Sequence, residues 1–167
     1  MMLESVVSPV VEAIGGAGVR AVRAYPKRPL CEKGAPLVCV SVARAKGVPA
    51  GLGSYLGVET DPVTGLGREI YGSRCELELA LDIYVPADAE DAGEECMRCV
   101  NLVSGALRSL PEGIKISSLS FGEMAADPQT GRFLCRGTAA ASAFFIAREA
   151  EGEGEFTDFI LRGSVQG

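Results

Sequence analysis

Residues 3 to 14 carry Leu3, Val6, Val7, Val10, Val11 and Ile14 at the three-and-four spacing of one helix face, and Gly15-Gly16 closes the stretch. Pro9 complicates it. Either it kinks this helix, or Ser8-Pro9 supplies a cap and first helical position. Beyond the glycines the period changes to two. Val19 to Tyr25 is a short extended segment, and Pro26 to Pro36, with three prolines, reads as a connecting loop. Leu37 to Lys46 alternates, with Val38, Val40 and Val42 on one face and Cys39, Ser41 and Ala43 on the other. The clearest strand is Cys75 to Val85. Cys75, Leu77, Leu79, Leu81, Ile83 and Val85 point one way, and Glu76, Glu78, Asp82 and Tyr84 the other. That alternation is the mark of an antiparallel sheet with one buried and one wet face.

Pro86 stops this strand, and a helix is expected from Asp88 to Leu110. Its apolar face is Ala92, Cys96, Cys99, Val100, Val103, Leu107 and Leu110. Asp88 is placed as its N-cap, with Glu90, Asp91, Glu94 and Glu95 at the positive end of the dipole. Ile114 and Ile116 then run in phase before shifting to Leu119 and Phe121, which predicts a β-bulge near Ser117-Ser118. Arg132 to Arg148 follows as a long strand. Phe133, Cys135, Gly137, Ala139, Ala141, Ala143 and Phe145 form one small-residue face, on which the 88–110 helix is expected to pack. Asp127-Pro-Gln-Thr-Gly131 repeats the Asp61-Pro-Val-Thr-Gly65 pattern and reads as the same hairpin solution used twice. Together these elements predict an α+β fold: a mostly antiparallel sheet with two helices, N-terminal and central, packed on one face.

At 167 residues, with 47% hydrophobic and 23% charged, the chain is expected to form one domain over residues 1–167. Two segments stand apart from it. Residues 47–67, punctuated by Gly47, Pro49, Gly51, Gly53 and Gly57, form a long loop or a hairpin arm. Leu52, Tyr55, Leu56 and Val58 are unusual in a solvated loop. They are explained if a partner covers them or if they fold back on this domain's own core. The second segment is a C-terminal arm at 149–167. There the acidic tract EAEGEGE precedes Phe156, Phe159 and Ile160, a last strand or a tail suited to docking on a neighbour.

The formal net charge is -6, and the 16 Lys and Arg are scattered. That average field disfavours a phosphate backbone or an anionic membrane as partner. Met1-Met2-Leu3-Glu4 lacks a basic, apolar leader, and no apolar run approaches the roughly 20 residues of a membrane span. A cytoplasmic chain with six reduced thiols is therefore expected. Cys96 and Cys99 form a CxxC, but no second pair follows and the chain has no His, so metal and cofactor sites are not expected. The lack of His also removes the usual triads, and neither nucleotide-cradle motif occurs. No acid falls where burial is expected, so no raised carboxylate pKa stands out. A non-enzymatic protein follows from these features, with a Cys- or carboxylate-based enzyme as the minor alternative.

The segments REIYGSRCELELALDIYVP (Arg68 to Pro86), the 88–110 helix and IKISSLSFGEMAADPQTGRFLCRGTAAASAFF (Ile114 to Phe145) give a layout that resembles the small tail-terminator or tail-completion proteins of tailed phages, over residues 60–148. The resemblance implies a structural subunit of a phage or prophage tail, made in the host cytoplasm. It implies a sixfold ring at the tail end that meets tail-tube and neck proteins. The long 47–67 segment and the C-terminal arm would then serve subunit interfaces. A second expectation from the same elements is a small cytoplasmic ligand- or protein-binding module, dimeric, with a closed apolar pocket near the alanine-rich strand.

Overall fold

The computed structural model describes residues 3–23, 34–49, 55–148 and 158–160, with backbone alone at 146–148 and 158–160. The elements in chain order are α1 (Glu4–Gly16), β1 (Arg20–Arg23), β2 (Leu37–Pro49), β3 (Tyr55–Thr60), β4 (Gly67–Val85) and α2 (Ala92–Ala106). A 3₁₀ turn (Leu107–Ser109), β5 (Ile114–Phe121), β6 (Ala125–Asp127), β7 (Arg132–Arg148) and β8 (Asp158–Ile160) complete it. This is the expected α+β fold, a mostly antiparallel sheet under two helices.

The spine of the sheet is the antiparallel pair β4 and β7, in register from Tyr71↔Ala147 to Val85↔Phe133. On the far side of β4 lie first β3 and then β2. On the far side of β7 lie β6, β5 and β8 in succession. The exception to antiparallel pairing is β1, which runs parallel to β2 across a 24–36 connection long enough for a crossover.

The alternation in β4 is realised as read. Leu79, Leu81, Ile83 and Val85 are fully buried, joined by Val38 and Val40 of β2 and Ala139 and Ala143 of β7. Val6, Val10 and Ile14 of α1 and Cys99 and Val103 of α2 close over them in one apolar cluster. α2 lies over β4 more than over the small-residue stripe of β7 expected to receive it, and it meets that stripe where Cys96 adjoins Cys135. The bulge appears where the phase change placed it, between Ile116 and Ser118, with Ser117 Oγ donating to the Ala140 carbonyl at 3.1 Å.

Three expectations are corrected. Of the two alternatives at Pro9 the cap is removed: α1 starts at Glu4 and holds Pro9 inside it, and the Ser8 hydroxyl accepts from Arg23 of β1. Pro9 is the sixth residue of α1, so its missing N–H removes the ladder bond that would reach the Ser5 carbonyl. The second helix is capped by Asp91, not Asp88. Asp91 Oδ1 accepts from Glu94 N at 2.9 Å, while Pro86 to Ala89 form a turn in which Ala89 N donates to the Pro86 carbonyl. It also stops at Ala106, and the 3₁₀ turn carries Leu107 and Arg108. Finally, β2 does not split cleanly into two faces, because Leu37, Val38, Cys39 and Val40 are all buried.

Candidate functional site

Residues 50–54 of the 47–67 segment lie outside the described residues, and from Tyr55 onward the segment belongs to a hairpin arm. β2 continues through Lys46 to Pro49, and β3 pairs antiparallel with the first residues of β4, from Tyr55↔Tyr71 to Thr60↔Gly67. The arm's tip is the Asp61–Gly65 turn, and its twin is Asp127–Gly131. In both, the Gly N–H donates to the Asp carbonyl, at 2.8 and 2.9 Å, and the Asp carboxylate gathers the amides two residues on. Gly65 and Gly131 have φ of 69° and 67°, which explains why both pentapeptides end in glycine. The two Val63 and Thr64 amide bonds hold the Asp61 carboxyl below its usual range.

Along this arm the apolar side chains are left uncovered. Tyr55 is 43% exposed, Val58 58%, Leu66 70%, Val63 90% and Tyr71 44%. Leu56 differs: it lies half-buried with its Cδ1 over Gly72, so it does fold back on the chain's own sheet. Leu56 thus lies against the sheet outside the apolar core cluster, while Tyr55 and Val58 stay uncovered in this chain. Leu52 and Phe156 lie outside the described residues, as do Cys31, most of the 26–36 loop and the 149–155 tract. Phe159 and Ile160 fall in β8, whose backbone pairs with β7 at Ala147 and Ile146. β8 thus lies beside β7, on the side away from the arm.

Val63, Leu66 and Tyr71 were not among the sequence candidates. Tyr71 had a legible signal. Counting back by twos from Cys75 puts it on the apolar face of β4, yet two positions beyond the last buried one.

The other face of the sheet is a lattice of opposite charges. Arg44 stands across from Glu78, Lys46 from Glu76, and Asp82 from Arg136, while Arg74 pairs with Glu76 at 3.1 Å. Such cross-strand partners account for the acidic alternation of β4 as pairing. Asp82 corrects one expectation. Burial raises its carboxyl above the usual range, partly offset by Arg136. The neighbouring Cys39 is pushed up to about 11 by burial and by Asp82. Burial, with Cys96 alongside, also pushes the Cys135 thiol up to about 11. Raised thiols are poor nucleophiles and poor metal ligands. Among the described residues no three His, Cys, Asp or Glu side chains converge as a metal site, and no helix is long and apolar enough to cross a membrane.

No protein-family model matches the chain, and no curated protein matches its sequence.

Proposed function

We propose that this chain is a non-enzymatic structural subunit that assembles with copies of itself into a ring, as a tail-terminator or tail-completion protein of a phage or prophage tail would. The observation that carries the proposal is the arm. Five exposed apolar side chains sit on a two-stranded projection whose backbone is well tied by the Asp61 turn. An apolar patch of that kind marks an interaction surface. Two further features support the reading. The elements between residues 60 and 148 follow the layout that prompted it. The partly buried Asp82 and the buried thiols stand in environments that suit packing better than chemistry. On this reading the subunit is made in the host cytoplasm and ends in the virion tail, against tube and neck proteins.

Native mass spectrometry over a concentration series tests it. A hexamer growing in with concentration is the expected result. A chain that stays monomeric, or a dimer that persists on dilution, counts against it. The persistent dimer favours a dimeric binding module instead.

A further inference from the structure

At the side of the sheet opposite the arm, β5 ends the strand order and pairs with β7 alone among the described residues. The helix layer borders it without covering it, Ser104 of α2 lining the same groove as β5. α2 ends at Ala106, and the 3₁₀ turn leads the chain away through Pro111. A groove of about 600 Å³ is left between that turn and β5. Its floor is Leu107, Leu110, Ile114, Ile116 and Leu119. The charged side chains that line it are Arg108 and Lys115, with no carboxylate among the lining residues.

The arm has the complementary character. Residues 55–71 carry Glu59, Asp61 and Glu69 against one Arg68, so three acids and one base give it a net charge of -2. Its uncovered Tyr55 and Tyr71 share the helix side of the sheet, because both are in register with each other and in phase with Cys75. Ile114, Ile116 and Leu119 share that same side, facing Ala143, Ala141 and Ala139 across the register. β4 and β7 stand between β3 and β5, and β3 lies beside β4 at residues 67–71 whereas β5 lies level with 75–81, so arm and groove occupy opposite edges at different heights of the sheet.

We infer that the arm of one copy docks in the β5 groove of the next, with β3 adding to the open edge of β5 and Tyr55 and Val58 covering the apolar floor. This rests on the self-assembly proposed above and names the contact that makes it. Edge addition supplies main-chain hydrogen bonds, and the apolar floor supplies register. Arg108 and Lys115 favour the acidic arm over other edges. Because the two surfaces differ, the contact is head-to-tail, and it closes a ring if the rotation allows.

Two variants test it by sedimentation velocity at a concentration where the parent chain assembles. The groove variant carries Arg108→Glu and Lys115→Glu. The arm variant carries Tyr55→Ser and Val58→Asp. All four sites are at the surface, and circular dichroism verifies the fold of each. Each variant alone is expected to associate roughly tenfold or more weakly. Mixed in equal amounts they form a heterodimer that grows no further, since one intact arm meets one intact groove and both remaining ends are blocked. A Val58→Cys copy mixed with a Leu119→Cys copy, both positions being on the helix side of the sheet, should cross-link on oxidation, whereas neither does so alone. If the parent assembles and both variants assemble equally well, or the mixture stays monomeric, this contact is wrong while the assembly reading stands. A parent that never assembles removes both.

Discussion

Tyr55 of β3 and Tyr71 of β4 are register partners whose rings meet edge to face, with centroids 5.7 Å apart and planes at 68°. The pair pins the arm where β2 no longer runs alongside β4. Half-exposed, it belongs at the low end of aromatic coupling. A double-mutant cycle with Tyr55→Ala and Tyr71→Ala should give about 0.5 kcal/mol of interaction. Amide exchange in residues 56–60 should accelerate in either single variant, while the amides of Leu79 to Ile83 stay as slow as in the parent chain.

Gly72 is a site of close backbone approach. A Cβ there would overlap the Phe145 carbonyl oxygen and stand 2.6 Å from Leu56 Cδ1. Gly137 is similarly confined, with the Leu81 carbonyl oxygen 2.8 Å from a would-be Cβ. Backbone cannot give way as a side chain can. Gly72→Ala and Gly137→Ala should each cost about 1–3 kcal/mol in urea denaturation. Gly47→Ala, where nothing lies within 4 Å, should stay within about 0.5 kcal/mol of the parent.

Asp61 and Asp82 should respond to pH with opposite sign. The Asp61 carboxyl is held low by the Val63 and Thr64 amides. A depressed folded pKa contributes stability that is present above the unfolded value and lost as pH falls through the folded one. The arm turn should therefore loosen below about pH 4, seen as faster exchange at Val63 and Thr64. Burial raises Asp82. A raised carboxyl is favourable below the unfolded value, and that benefit is lost as pH rises through the folded one. Asp82→Asn should then gain stability relative to the parent at pH 7 and show no such gain at pH 3. A net loss at pH 7 would mean that Arg136 outweighs desolvation.

The thiols should be slow to react. With pKa values near 11 for Cys39 and Cys135, the thiolate fraction at pH 7.5 is on the order of one part in three thousand. In a Cys31→Ser background, Ellman's reagent should label Cys39, Cys75, Cys96, Cys99 and Cys135 only as the protein unfolds, since all five are buried. Rapid labelling of any one in the folded state would reopen the cysteine-enzyme alternative.

Much of this was legible along the chain because it depends on neighbours in sequence. The β4 alternation, the bulge at Ser117 and the paired Asp-Pro-x-Thr-Gly turns each follow from local backbone needs. The start of α2 was misplaced by three residues for a reason of the same kind. Asp88 and Asp91 are both good caps, and the choice went to the one that follows the Pro86 turn and can reach the Glu94 amide.

Other features required the third dimension. Alternation in β4 placed Asp82 on a wet face. Its neighbours Cys39 and Arg136 come from strands more than forty residues away in sequence, and their packing partly buries it. The apolar residues of 47–67 looked alike in sequence, but the register of β3 sent Leu56 onto Gly72 and left Tyr55 and Val58 outside.

The sequence by itself thus determined the periods, turns and caps, and with them an antiparallel sheet under two helices, because those depend on a few adjacent side chains and the backbone they follow. Only the tertiary structure decided which strands end the sheet, how far the helices reach over it, and therefore where apolar surface is left uncovered. Coverage depends on the lengths and positions of elements far apart in the chain: β3 runs beside β4 beyond the end of β2, and α2 borders the β5 groove without filling it.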